Sequence, residues 1–292
     1  VATQDDDPTI PTANPAPTRA SAVRVKDNDS KNYYLPKIVL CLLSDLESKP
    51  RLEQMLSGEG IEHEFGERDS RMDQSFVAVA SGTNPSSLTQ HDLDQIADHS
   101  LVLYIVSDAY PKDKAFQAAS WFLLVACKLL NADAVAMKCE SSGIAHSRRR
   151  WIELGENCKH NRPSASDSED SEPSAGFYTS LFEAYVQYPI ASNEDYYSCG
   201  MHLLGKADVI IASSLLKNAL PESDSLIADL AYLFNAFCLY ILAESSECHF
   251  VSGNIFHPDL ELPSFRVVWE ECQGYPEDDL YFNPYGRWRF VI

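Results

Sequence analysis

The residues of this chain best suited to chemistry lie in Cys139–Ser147, CESSGIAHS. An imidazole beside a thiol takes its proton and leaves a thiolate nucleophile, so Cys139 and His146 are the candidate catalytic pair. Ser141, Ser142, Gly143, Ser147 and Arg148 are the candidate ligand-binding residues. A small-residue loop between a strand end and a helix start offers free N–H groups to an anion. The glycines and lysine of a P-loop or a dinucleotide fingerprint are missing from it. The structural reading of the same residues is that Cys139 closes a buried strand, Gly143 makes a turn, and His146 with Ser147 caps a helix.

Other constellations are thinner. Cys199-Gly200-Met201-His202 and Cys248-His249 with His257 supply soft and imidazole donors, but no four ligands stand at a zinc spacing, so neither a metal nor a cofactor is expected. G-x-S-x-G and H-E-x-x-H are absent. Arg148–Arg150 is the one basic triplet, too small for a nucleic-acid surface. Tyr281–Phe290, YFNPYGRWRF, concentrates the side chains enriched at binding hot spots, with Tyr285, Arg287 and Trp288 as candidate interface residues. Its structural reading is a terminal strand with aromatics on the core and arginines outward.

These residues must be positioned by elements that can be read from apolar patterning. Lys37–Leu43 is a strand-length apolar run, followed by a helix with Leu52, Met55 and Leu56 on one face and Gly58 and Gly60 at its end. Ile61, His63 and Phe65 alternate with charges, Phe76–Ala80 reads as another strand, Asn84–Ser87 as the cap of a helix reaching Ala97, and Leu101–Val106 as a buried strand. That order, βαββαβ, is ferredoxin-like. A helix over Ala115–Leu130, a strand over Ala134–Cys139 and a helix over Ser147–Asn157 follow, then strands over Phe177–Tyr188 and Ala207–Ala212. Leu226, Leu230, Leu233, Phe234, Phe237 and Ile241 make a broad helical stripe with Ser223 and Asp224 before it, and Phe265–Trp269 and Trp288–Ile292 close the chain as strands. The expected class is α/β (α+β), the ferredoxin-like start extending into a mixed sheet with helices packed on it.

The expected organisation is a disordered tail over 1–34, an α/β half over 35–160, an acidic flexible linker over 161–176, and a second α/β half over 177–292 sharing one sheet with the first. The linker carries four carboxylates, and its serines Ser166, Ser168 and Ser171 are candidate phosphate acceptors. With 23 cationic and 43 anionic residues the net charge is −20, which repels nucleic acid and anionic membranes and favours cationic partners. The eight cysteines contain no C-x-x-C pair and several sit in apolar runs, so they read as buried thiols of a reducing compartment. Val1–Asp7 is polar and acidic instead of basic then apolar, and the run Ala228–Ala243 is interrupted by Asp229 and Asn235, so the expectation is a cytoplasmic protein with no membrane span.

The segments Asp133–Asn157 (DAVAMKCESSGIAHSRRRWIELGEN) and Tyr185–Ala212 (YVQYPIASNEDYYSCGMHLLGKADVIIA) together resemble the bacterial domain of unknown function 4261. Gly200, Leu204, Gly205, Ala207, Asp208, Val209 and Ile210 match its glycine-rich segment, and the likeness spans roughly Met72 to Phe290. The chain departs from the family pattern at Lys206-Ala207 and in its acidic linker. The resemblance implies a compact α/β domain of a bacterial, cytosolic protein and supplies no catalytic residues. With no complete catalytic motif, the expected function is a non-enzymatic protein-interaction module; the alternative is an enzyme or small-anion binder using Cys139–Arg148.

Overall fold

In a computed structural model, which describes residues 23–26, 32–80, 88–162, 173–192, 194–219, 225–244, 250–258 and 262–291, apolar runs and helical stripes resolve into two large sheets, a two-stranded ribbon and the helices between and around them. The first part of the chain runs β1 (Val23–Lys26), β2 (Asn32–Leu35), β3 (Val39–Ser44), α1 (Lys49–Glu59), β4 (Glu62–Glu67), α2 (Ser70–Ala80), α3 (Gln90–Ala97), β5 (Leu101–Val106), α4 (Ala115–Asn131), β6 (Ala136–Cys139), β7 (Ala145–Ser147) and α5 (Arg148–His160). The second runs α6 (Ala175–Tyr185), β8 (Gln187–Ala191), β9 (Asp195–Cys199), β10 (Asp208–Ala212), α7 (Ser213–Ala219), α8 (Leu226–Leu242), β11 (Ile255–Phe256), β12 (Phe265–Glu270) and β13 (Arg287–Val291).

The first sheet has the order β4-β5-β3-β6-β7 and is antiparallel throughout. The second has the order β11-β12-β13-β10-β9-β8, with β10 and β13 its single parallel pair. The mixed α+β class expected from the sequence holds, but four details change. Phe76–Ala80 is the end of α2, because Met72, Phe76 and Val79 recur at helical spacing against one apolar cluster. The opening order is therefore βαβααβ and not the ferredoxin-like βαββαβ. Phe177–Tyr185 is likewise helical: Phe177, Leu181, Ala184 and Tyr185 line one buried face of α6, and the strand begins only at Gln187. The two halves do not share a sheet, because β8 to β10 pair with one another and with β13, while β7 folds back on β6 as the edge of the first sheet.

Two smaller differences concern ends. α3 is capped by Thr89, whose Oγ1 accepts from Asp92 N at 3.3 Å while Asp92 Oδ2 accepts from Thr89 N at 2.7 Å, a reciprocal capping box. Within the stretch expected to be a tail, β1 pairs antiparallel with β2, from Val23 opposite Leu35 to Lys26 opposite Asn32. Residues 84–87, Ser223, Asp224, Cys248, His249 and the linker serines Ser166, Ser168 and Ser171 lie outside the described residues.

A single apolar cluster joins the halves. It takes Leu40, Leu42, Leu103, Ile105 and Met137 from one face of the first sheet, the inner faces of α4, α5, α6 and α8, and Val209, Ile211, Val267 and Phe290 from the second sheet. The other face of the first sheet is covered by α2 and α3 through Met72, Phe76 and Ile96, so β3 is buried on both sides, as its continuous apolar run requires. Among the described residues no helix is long and apolar enough to cross a membrane.

Phe237 of α8 organises the second sheet, with ring centroids at 5.3 Å from Phe250, 4.9 Å from Phe256 and 5.1 Å from Phe290. Phe237→Ala is expected to cost about 3–5 kcal/mol in urea unfolding. A loss under about 1 kcal/mol would show that this cluster repacks around the gap.

Candidate functional site

The loop expected to lie between a strand and a helix is a hairpin turn joining β6 to β7, and the turn uses its own backbone donors. Cys139 N donates to Ile144 O at 2.8 Å, Gly143 N to Cys139 O at 2.8 Å, and Glu140 N to Val39 O at 2.8 Å. Those N–H groups cannot also cradle an anion. Ser141 Oγ donates to Lys37 O at 2.9 Å and accepts from Val39 N at 3.0 Å, tying the turn to the start of β3. Ser142 is buried with its hydroxyl beside the Cys139 thiol. Gly143 has φ +81°, and a Cβ there would stand 2.7 Å from Gln187 Oε1 and 3.9 Å from Tyr281 Oη, both in the second half of the chain. At Gly200, φ +118°, a side chain would be driven into the Tyr185 carbonyl and toward Ser142. The turn is thus a seam where the halves meet.

Cys139 and His146 are not partners. Burial pushes the Cys139 thiol up to about 11, outweighing the hydrogen bonds from Ser142 and the Ser141 backbone that lower it. At neutral pH it is a protonated core thiol, against Leu40 across the sheet. His146 turns elsewhere: its Nε2–H donates to Glu183 O at 2.7 Å, and its ring stands edge-on to Trp151 with centroids 5.1 Å apart. Burial pushes the imidazole down to about 4, opposed by the Glu183 bond and reinforced by the Arg150 charge. Both shifts work against a thiolate–imidazolium pair.

Ser147 is the N-cap of α5, its Oγ accepting from Arg150 N at 3.2 Å. Arg148 is exposed. Of the basic triplet, Arg150 is ion-paired with Glu183 and, at 3.4 Å, with Glu153, while Arg149 reaches Glu153 at 3.4 Å.

A polar knot lies at Asp208, which the sequence offered only as one residue of a glycine-rich segment. Its Oδ1 accepts from Ser198 Oγ at 3.1 Å and from Met201 N at 3.2 Å, and its Oδ2 accepts from Asn283 Nδ2 at 2.6 Å. The buried His202 stands behind it, Nδ1 3.9 Å from Oδ2, at the wall of a small cavity that Tyr34, Pro36 and Phe282 also line. The knot joins β9, β10 and the approach to β13. The one signal for it was an aspartate inside an otherwise apolar strand. Among the described residues no group of three or more His, Cys, Asp or Glu side chains could hold a metal ion.

The C-terminal residues divide. Trp288 faces the core, 6.4 Å from Phe237 and 5.5 Å from Phe250 between ring centroids, while Arg287 and Arg289 of the opposite face hold Glu270 at 3.0 and 2.9 Å. Lys112 Nζ lies 5.7 Å from the Tyr285 ring centroid, and Tyr285 O accepts from Trp269 Nε1 at 2.8 Å. A row of aromatics results: Tyr240 meets Phe250 at 5.9 Å, Phe250 meets Trp288, and Trp288 stands opposite Trp269 in register. The two ends of the row, Tyr240 and Trp269, are each 45% exposed, and Val251 beside Phe250 is 58% exposed. No family model, no curated protein and no solved structure matches this chain.

Two predictions follow the hairpin's chemistry. The unfolded His146 titrates near 6.5 and the folded one near 4, so the unfolded chain holds the extra proton between those values. The stability from burying neutral His146 is complete above about pH 6.5 and falls as pH drops toward 4. His146→Gln should flatten that limb of the stability–pH curve, and an unchanged limb would assign it to another group. Ser141→Ala strands a backbone donor and an acceptor and should cost about 1–3 kcal/mol in chemical denaturation; a neutral effect would mean the turn is not held through Ser141.

Proposed function

We propose that the chain is a non-enzymatic protein-interaction module of the cytoplasm, docking a protein partner through the aromatic row Tyr240–Phe250–Trp288–Trp269. The observation that carries this reading is the exposure of Tyr240 and Trp269, each 45%: Tyr240 meets Phe250, Phe250 meets the core-facing Trp288, and Trp269 lies opposite Trp288 in the β12–β13 register. Aromatic side chains bring large contact area at small entropic cost and dominate binding hot spots. The net charge of −20 speaks against nucleic acid as the partner. The resemblance to domain of unknown function 4261 belongs to the same proposal, as a family that adds no chemistry of its own. Against the alternative, an enzyme or anion binder at Cys139–Arg148, stand the fold's use of the Cys139, Glu140 and Gly143 N–H groups, of the Ser141 hydroxyl and of the His146 imidazole, and the burial of the Cys139 thiol.

A photo-crosslinking phenylalanine analogue at Val251 should capture a partner protein in native lysate, and the same probe at Leu46, 60% exposed beyond the end of β3, should not. Capture at Val251 should disappear in Trp269→Ser provided the variant keeps its unfolding midpoint. Equal capture at both positions, or none at Val251, would remove the proposal.

A further inference from the structure

The chemistry around the aromatic row selects its partner. Among the described residues of Glu244–Asp279, the stretch that supplies Phe250, Val251 and Trp269, there are six carboxylates and one cationic side chain, Arg266. Of the nearby cations, Arg289 holds Glu270 at 2.9 Å and Asp195 at 3.6 Å, Arg287 holds Glu270 at 3.0 Å, Lys206 interacts with Glu244, and Lys112 lies 5.7 Å from the Tyr285 ring centroid. At one end of the row Glu244 accepts a hydrogen bond from Phe250 N, and at the other Glu271, exposed, follows Trp269 by two positions. Aromatic faces with carboxylates at their margins suit a guanidinium or ammonium, which stacks on the ring while its charge meets the acid. The same margins oppose a second copy of this chain, whose matching surface would bring carboxylates against carboxylates.

We infer that the row receives an arginine- or lysine-bearing segment of a partner protein, its cationic heads against Trp269 and Tyr240 and its apolar side chains against Phe250 and Val251. This rests on the interaction reading above and narrows it to a basic occupant. Long-range attraction by the −20 chain would speed encounter, and the aromatic row would fix where the segment settles.

The probe is a synthetic nine-residue peptide alternating arginine and leucine, with a counterpart carrying glutamate for each arginine, titrated into the full chain by calorimetry and tryptophan fluorescence. The arginine peptide should bind, lose about tenfold in affinity between 50 and 300 mM salt, and shift the tryptophan emission, while the glutamate peptide should not bind. Because any strongly acidic protein attracts a cationic peptide, location is tested by paired variants. Tyr240→Ala and Glu271→Lys should each weaken binding fivefold or more, whereas Glu53→Lys, the same charge change on exposed α1, should weaken it less than twofold. Thermal midpoints equal to the parent's confirm that the variants fold, and Trp269→Phe, which keeps an aromatic face, should retain most of the affinity. Equal losses at Glu53 and Glu271, no arginine-peptide binding, or dimerisation through the row would overturn the inference. If crosslinks at Val251 reveal a partner segment without arginine or lysine, the basic occupant fails while the interaction module stands; if Val251 captures nothing, the module itself fails.

Discussion

A buried aromatic side chain with a polar tip must find an acceptor, and three in this protein find theirs on the backbone of a neighbouring element. Tyr185 of α6 donates to Ala119 O of α4 at 2.9 Å, Trp151 of α5 donates to Met137 O of β6 at 2.8 Å, and Tyr110 donates to Leu203 O at 3.0 Å, reaching from the segment before α4 to the turn before β10. Each bond satisfies a donor that would otherwise cost a few kcal/mol in the apolar interior, and each fixes the spacing of two elements. The Tyr185 and Tyr110 bonds run from one half to the other and so set the distance between the halves, while the Trp151 bond fixes the packing of α5 on β6 within the first. The residues at the seam inherit their positions from them.

That constraint explains why the most suggestive stretch of the sequence is structural. Cys139 ends β6 beneath the hairpin, so its thiol is enclosed by the same core that orients Trp151, and the resulting low polarity holds it protonated. His146 faces Trp151 and the end of α6, where a carbonyl is the available partner. Gly143 is a glycine because Gln187 of the second half approaches the turn there, and Gly200 because the Tyr185 carbonyl and Ser142 close on it; these contacts, not a ligand, occupy the space a side chain would need. Asp208 and its three donors perform the equivalent service inside the second sheet, holding β9, β10 and Asn283 together around one buried carboxylate. At the edge of the second sheet, Tyr240 of α8 and Trp269 of β12 stand half in water.

Much of this was legible from the chain. Leu101–Val106 and the run ahead of Leu43 became central strands because an uninterrupted apolar run can be buried on both faces, and the stripe from Leu226 to Ile241 became α8 because its period admits one helical face. Ser147 was legible as a cap, and the terminal strand was legible as aromatics inward and arginines outward. Phe76–Ala80 and Phe177–Tyr185 misled for one reason: a short run of apolar and aromatic residues fits either period, and the tertiary neighbours, α3 for one and α5 for the other, decide it. The division into two sheets was not legible because strand partners are set by non-local register. The site residues were identified by type, and type alone does not say whether a donor faces a ligand or the next element of the fold.

The central claim is that both sheets are held by one core through the seam at Cys139–Gly143, so that neither is an independent domain. Native-state hydrogen exchange of the intact chain tests it most directly, by comparing opening free energies of β3 amides, Val39–Ser44, with those of β13, Arg287–Val291. A shared core predicts that the slowest amides of the two strands exchange through one global opening, with equal free energies and equal denaturant dependence. A second sheet that opens several kcal/mol more cheaply, with β3 still protected, would show two separately folding halves and would contradict the account.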